Sequence, residues 1–180
     1  MVGLQRSSLM CLFVALLGAC AIPRPNSAKL LPGQELITFQ NEPGPFCGPC
    51  DSVTITVRSD GRVWIEHGYW AEKYQDWTID RREERISPAS FARFSSALQP
   101  YRPRGELALN QKPPCSKFWN DVEGVRVEWK DSTYDKLILN FGCDPDARHA
   151  MGEALRAAPS ELGIRHLKMP WGQWMASSPG

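Results

Sequence analysis

The chain carries no excess of either charge: 180 residues hold 21 Lys+Arg against 20 Asp+Glu. Binding nucleic acid through counterion release needs a basic excess or a basic stripe, so that class is excluded. Histidine is scarce. His67, His149 and His166 are far apart, stand in no metal-ligand spacing, and read as surface or core residues. There is no Gly-x-Ser-x-Gly, no His-Glu-x-x-His, no phosphate-cradling glycine loop and no paired-carboxylate motif. No apolar run reaches the about 20 residues that cross a hydrocarbon layer about 30 Å thick. Proline, glycine and tryptophan are plentiful, at 15, 14 and 7. They predict short elements, many turns and some indole at the surface. With 42% hydrophobic and 23% charged residues, the remainder has the composition of one globular domain.

The N-terminus carries an address. A short basic region ending near Arg6 is followed by apolar Leu9–Leu17 and then by small residues at Gly18 and Ala19. That is the layout of a signal peptide, here residues 1–19. Leu17-Gly18-Ala19-Cys20 resembles the bacterial lipobox. The resemblance implies cleavage before Cys20, a diacylglycerol on its sulfur and a fatty acyl chain such as palmitate on its new amino group. Acyl chains contribute about 0.8 kcal/mol per buried CH₂, enough for firm anchoring when two or three act together. No Asp follows Cys20, which resembles the pattern sorted to the outer membrane, facing the periplasm. Residues 20–34, broken by Pro23, Pro25, Pro32 and Gly33, read as the lipidated cysteine and a flexible tether. Residues 35–167 then form one domain, and 168–180 a loose tail.

Of six cysteines, Cys11 leaves with the leader and Cys20 takes the lipid, which leaves Cys47, Cys50, Cys115 and Cys143. An even number in a chain bound for an oxidising compartment suggests disulfides. Three connectivities exist. The favoured one joins Cys47 to Cys50 and Cys115 to Cys143, because Cys115 ends a proline-rich loop and Cys143 ends a strand, so a bridge would staple the second hairpin. A four-thiolate zinc site has half the right spacing and is opposed by the oxidising surroundings. No cofactor is expected.

Two stretches alternate with period two. Val53, Ile55 and Val57 face one way, Ser59–Arg62 turns, and Val63–His67 returns. Val125, Val127 and Trp129 do the same, Lys130–Thr133 turns, and Leu137, Leu139 and Phe141 come back. Ser87-Pro88 and Asp144-Pro145 each offer an N-cap and a proline at the first helical position. Helices follow, with apolar stripes at Phe91, Phe94, Ala97 and Leu98 and at Ala147, Ala150, Met151, Ala154, Leu155 and Ala158. Leu36–Phe39 adds a short leading strand. The expected fold is α+β: an antiparallel sheet built from two β-hairpins, with two helices packed on one face, a possible ββα pseudo-repeat. A short helix is possible over Ser160–Leu167.

Cys47-Gly48-Pro49-Cys50 resembles the redox motif of thioredoxins. That chemistry needs a thiolate stabilised at a helix N-terminus. Here Asp51-Ser52-Val53-Thr54-Ile55 follows, which is β-branched and alternating, and Asp51 adds negative charge that opposes thiolate formation. A structural loop is therefore expected. Residues 35–157 also resemble an uncharacterised domain-of-unknown-function family of bacterial envelope proteins. The resemblance rests on Glu42-Pro43, Cys47–Cys50, Val53–Val57, Asp60-Gly61, Trp64–Gly68, Ile86–Pro88, Cys115 and Cys143. It implies a location and a fold, and no activity. Cysteine spacing departs from the family, with two intervening residues instead of three, and the usual Pro-x-Tyr is missing.

The mixed-sign run Asp80–Arg85 reads as a solvated edge. Tyr69, Trp70, Tyr74 and Trp77 read as an aromatic-rich loop that either covers the sheet edge or forms a contact patch for an envelope protein or glycan. The expected function is a membrane-anchored, non-catalytic structural or partner-binding module. A thiol–disulfide oxidoreductase using Cys47 and Cys50 is the alternative, and an inhibitor- or chaperone-like module is a third reading.

Overall fold

A computed structural model of the chain describes residues 30–44, 51–71 and 76–171. Seven strands form one mixed sheet: β1 (Leu36–Glu42), β2 (Ser52–Arg58), β3 (Arg62–Ala71), β4 (Asp76–Arg85), β5 (Glu106–Leu109), β6 (Gly124–Lys130) and β7 (Tyr134–Asn140). Their order across the sheet is β4-β3-β2-β1-β6-β7-β5. Helices α1 (Pro88–Leu98) and α2 (Pro145–Ala157) complete the chain, each followed by a 3₁₀ turn, Gln99–Tyr101 and Ala158–Leu162.

This corrects the expected architecture. The two hairpins are present, but they are parts of a single seven-stranded sheet, joined through β1, which pairs antiparallel with both β2 and β6. Two strands were missed. β4 runs antiparallel to β3 over its whole length, Arg62 opposite Arg85 to Ala71 opposite Asp76. β5 pairs with β7 in parallel, which makes the sheet mixed. The reason is physical in both cases. β4 lies on the sheet edge and is exposed at nearly every position, so burial imposes no period-two pattern on its sequence. β5 has four residues and buries only Leu109, too few to show a period.

One face of the sheet is apolar. Ile37 and Phe39, Val53, Ile55 and Val57, Val63 and Ile65, Val125, Val127 and Trp129, and Leu137 and Leu139 all point into a single core. The register explains why: Phe39 stands opposite both Ile55 and Val127, and Ile37 opposite Val57 and Trp129. Phe94 of α1 meets Phe39 edge to face at 6.3 Å, and Leu98 and Leu155 join the same core. The opposite face carries Thr38, Gln40, Thr54, Trp64, Glu66, Arg126 and Glu128, half-buried and polar.

Local chemistry sets the joints. Gly61 takes φ +86° in the β2–β3 turn, and a side chain there would collide with the Ile86 carbonyl oxygen, 2.5 Å from where its Cβ would sit. Ile86 donates its backbone N–H to the Gly61 carbonyl at 2.9 Å, so the exit of β4 is tied to that turn. Ser87 then caps α1, its hydroxyl accepting from the Ser90 backbone N–H at 3.1 Å. Asp144 behaves differently from the cap expected of it. It sits at φ 47° and its side chain caps no backbone N–H of α2, although the Arg148 guanidinium of that helix lies 3.8 Å from its carboxylate. Its carboxylate instead accepts from the Lys117 backbone N–H at 2.7 Å. After Leu162 the chain stays packed: Ile164, Leu167, Met169 and Trp171 lie against the core, and Trp171 meets Phe39 and Phe141 edge to face.

Candidate functional site

At one end of the sheet lie the final residues of β1, β3 and β7 and the first residues of β2, β4 and β6. Both clusters with chemical potential gather there, on opposite faces of the β3–β4 ribbon.

On the polar face, Trp70 of β3 stands opposite Trp77 of β4. Their rings meet edge to face with centroids 5.3 Å apart. Both stay open to solvent, 40% and 43% exposed, and Ile79 beside them is 41% exposed. Gly68 makes the arrangement possible: the Trp77 indole lies where a side chain at 68 would be. An aromatic thus covers a glycine on the neighbouring strand, and its outer surface remains bare. The expected aromatic loop is therefore mostly strand. Tyr69 belongs to β3 but points to the other face, and Tyr74 lies outside the described residues.

On the apolar face, the ribbon overhangs the core and forms a cleft of about 380 Å³. Val53 and Ile65 make its floor, His67 and Asp80 one wall, and His166 and Lys168 the other. The His67 Nε2 lies 2.8 Å from the Asp51 carboxylate. Asp51 is placed by Asn41, which is buried at the end of β1. The Asn41 side-chain amide donates to the Asp51 carbonyl at 3.1 Å, and its carbonyl accepts from the Val53 backbone N–H at 2.5 Å. That side chain stands in for the next rung of the β1–β2 ladder. The Tyr69 ring tilts against His67 at 5.1 Å. The negative charge of Asp80, its hydrogen bond to the phenol and the charge of Asp51 together raise the Tyr69 pKa above its ordinary value, because ionisation would add a further negative charge.

The sequence places His67 on the returning strand of the first hairpin, which is where it stands, but shows no link to Asp51. The hairpin register contained the signal. Val53 opposes His67, so Asp51, two residues earlier on the same face, falls diagonally beside it. Asn41 had no such signal, because its contacts follow from the β1–β2 pairing, and His166 and Lys168 had none, because theirs depend on where the last segment returns.

Cys115 and Cys143 form a disulfide, with Cα atoms 5.2 Å apart. Phe118 and Cys143 form a β-bridge alongside it. Cys20, Cys47 and Cys50 lie outside the described residues. Among the described residues no group of three His, Cys, Asp or Glu side chains is placed to hold a metal ion. No helix among them is long and apolar enough to cross a membrane.

In comparisons with known proteins, no family model matches this chain and no curated sequence is significantly similar to it.

Proposed function

We propose that the protein is a lipid-anchored bacterial envelope protein whose domain binds a partner and carries out no chemical turnover. The observation that carries the reading is the Trp70–Trp77 pair. Two indoles meet edge to face on an edge ribbon, flanked by Ile79, with their outer surfaces in water. Large aromatic side chains dominate binding energy at interfaces, and a contiguous exposed apolar patch marks a contact surface. The Cys115–Cys143 disulfide supports a location in an oxidising compartment. The Leu17–Cys20 segment supplies the anchor, on an outer membrane with the domain facing the periplasm.

Two measurements test this reading. Mass spectrometry of the mature protein is expected to find acyl mass on Cys20, and Cys20→Ser to leave the precursor unlipidated and mis-sorted. A photoreactive phenylalanine analogue at Trp70 is expected to give a discrete crosslinked species in cells, lost in Trp77→Ala. Cleavage elsewhere with no acyl mass overturns the anchor. Absence of any adduct overturns the contact surface. Insulin reduction that disappears with Cys47→Ser promotes the thiol–disulfide alternative.

A further inference from the structure

Among the described residues, β4 pairs with β3 alone, and its other side is the edge of the sheet. A ten-residue strand with one free edge is a template for pairing with another chain, which proteins commonly block with charge. Here the block is one-sided. Asp80–Arg85 is charged at every position, whereas Asp76–Ile79 carries exposed Trp77 and Ile79.

Two copies of this edge joined antiparallel about a two-fold axis through the sheet must place like faces together, so a residue of β4 sits at the centre of symmetry and opposes itself. The choice of centre decides which charges meet. Centring on Asp80 opposes Asp80 to itself, and centring on Arg81 does the same to Arg81. Centring on Arg82 also sets Asp80 against Glu84, and centring on Glu83 sets Arg81 against Arg85. Centring on Thr78 sets Asp76 against Asp80. Every one of these registers contains like charges directly opposed, which destabilises an antiparallel pair. Centring on Trp77 opposes no like charges but pairs only Asp76 to Thr78 of the strand, whereas centring on Ile79 contains none and pairs the strand from Asp76 to Arg82. The latter sets Ile79 on Ile79, Trp77 against Arg81, Thr78 against Asp80 and Asp76 against Arg82.

Both faces of that register are satisfied. On the polar face, Arg81 stands opposite the exposed Trp77 of the other copy; its Nε lies 2.7 Å from Glu66 of β3, and turning from Glu66 towards the free edge sets its guanidinium against that ring in a cation–π contact. On the cleft face, Asp76 and Arg82 are opposite charges. We propose that β4 pairs antiparallel with β4 of a second copy of this chain, centred on Ile79, to make one continuous fourteen-stranded sheet, twice the seven strands of one copy. This rests on the reading of the Trp70–Trp77 surface as a contact surface, and it names a second copy as the occupant.

The test uses the full-length, membrane-anchored protein. In an antiparallel sheet, directly opposed Cα atoms lie about 4.5–5.5 Å apart, within the range a disulfide spans. Ile79→Cys is expected to form a dimer of exact double mass on a non-reducing gel, with the bridge mapped to position 79 in both chains. Glu83→Cys is equally accessible, but the register separates its two copies by about 27 Å, and it is expected to remain monomeric. Arg82→Glu, in the Ile79→Cys background, is expected to lower the crosslinked fraction about tenfold by opposing Asp76 with a like charge. Adding Asp76→Arg is expected to restore it. Equal crosslinking at positions 79 and 83, or none at 79, overturns the self-pairing. An adduct from position 79 to a different protein overturns self-pairing while leaving the contact surface standing. No adduct from 79 and none from the photoreactive residue at 70 overturns both.

Discussion

Arg102 donates from Nε to the Asp135 carboxylate at 2.7 Å, and that bond fastens the segment leaving α1 to the base of β7. The same guanidinium reaches Glu35 and Asp131, both at 3.0 Å, and lies over the Trp129 ring with its carbon 6.0 Å from the centroid. Its side chain is only 13% exposed. One cation thus joins the approach to β1, the β6–β7 turn, β7 itself and the exit of α1.

Arg102→Ala leaves three carboxylates close together with no cation between them. A loss of about 3 kcal/mol in unfolding free energy is expected, in line with breaking one side of a partly buried ion-pair network. Arg102→Lys is expected to recover less than half of it, since an ammonium cannot reproduce the forked geometry. Urea denaturation of the three proteins checks this.

Acid should weaken the same end of the molecule. The Thr133 backbone N–H, with Arg102 and the Thr133 hydroxyl, holds Asp131 down to about 2 from its ordinary 3.8. The Gly105 backbone N–H, with Arg102, lowers Asp135 as well. Both groups bind protons more weakly folded than unfolded. Their contribution is therefore complete above about pH 4 and is lost as pH falls towards 2. Arg102→Ala is expected to make this acid slope shallower without abolishing it, because the backbone donors remain. Stability measured across pH 2–6 in both proteins distinguishes the cases.

Removing the Cys115–Cys143 disulfide by double Ser substitution is expected to cost about 3–4 kcal/mol, from the entropy of a loop spanning 28 residues. Asp144→Ala in the reduced background is expected to cost more than in the oxidised one. The Asp144–Lys117 pair and the disulfide hold the same loop to the start of α2, so each partly substitutes for the other. A double-mutant cycle by thermal unfolding gives the coupling directly.

Asn41→Ala strands the Val53 backbone N–H at a buried position and frees Asp51 to swing. A destabilisation of about 1–3 kcal/mol is expected for the unsatisfied donor, together with loss of the 2.8 Å Asp51–His67 contact. The histidine ring signals in an NMR spectrum report the second effect independently of the first.

Gly68→Ala is expected to push the Trp77 indole off the sheet and break its pairing with Trp70, at a cost of about 1 kcal/mol. Tryptophan emission should move to longer wavelength while the Tm changes little. Unchanged emission would show that the indole does not rest on position 68.

What could be read in advance follows burial. Strands half in the core, such as Val53–Val57 and Val125–Trp129, write their geometry as alternation, and both hairpins and their turns were legible. Ser87 declared α1 because its cap is local. β4 had no buried face to record, so its charges read as a solvated edge, which they are, without showing that the edge is a strand. Asp144 carried the letters of a cap but spends its carboxylate on Lys117, a partner 27 positions earlier, and no local pattern encodes a contact that distant. The Asn41–Asp51–His67 chain was half visible, through hairpin register alone.

Placing the first strand at the centre of the sheet constrains how the molecule comes into being. A ribosome releases β1, β2, β3, β4 and α1 in succession, and those strands pair only with their nearest neighbours in the chain. The far side of β1, with Ile37 and Phe39 on its inward face, must wait for β6, whose first residue lies 82 positions after the last of β1. Until then the nascent half-sheet shows a bare, apolar-faced edge, and closing it requires a long-range encounter that is intrinsically slow. The same arrangement that gives the finished sheet its spine makes the incomplete chain sticky, and this protein should depend on holding factors for longer than its modest size suggests.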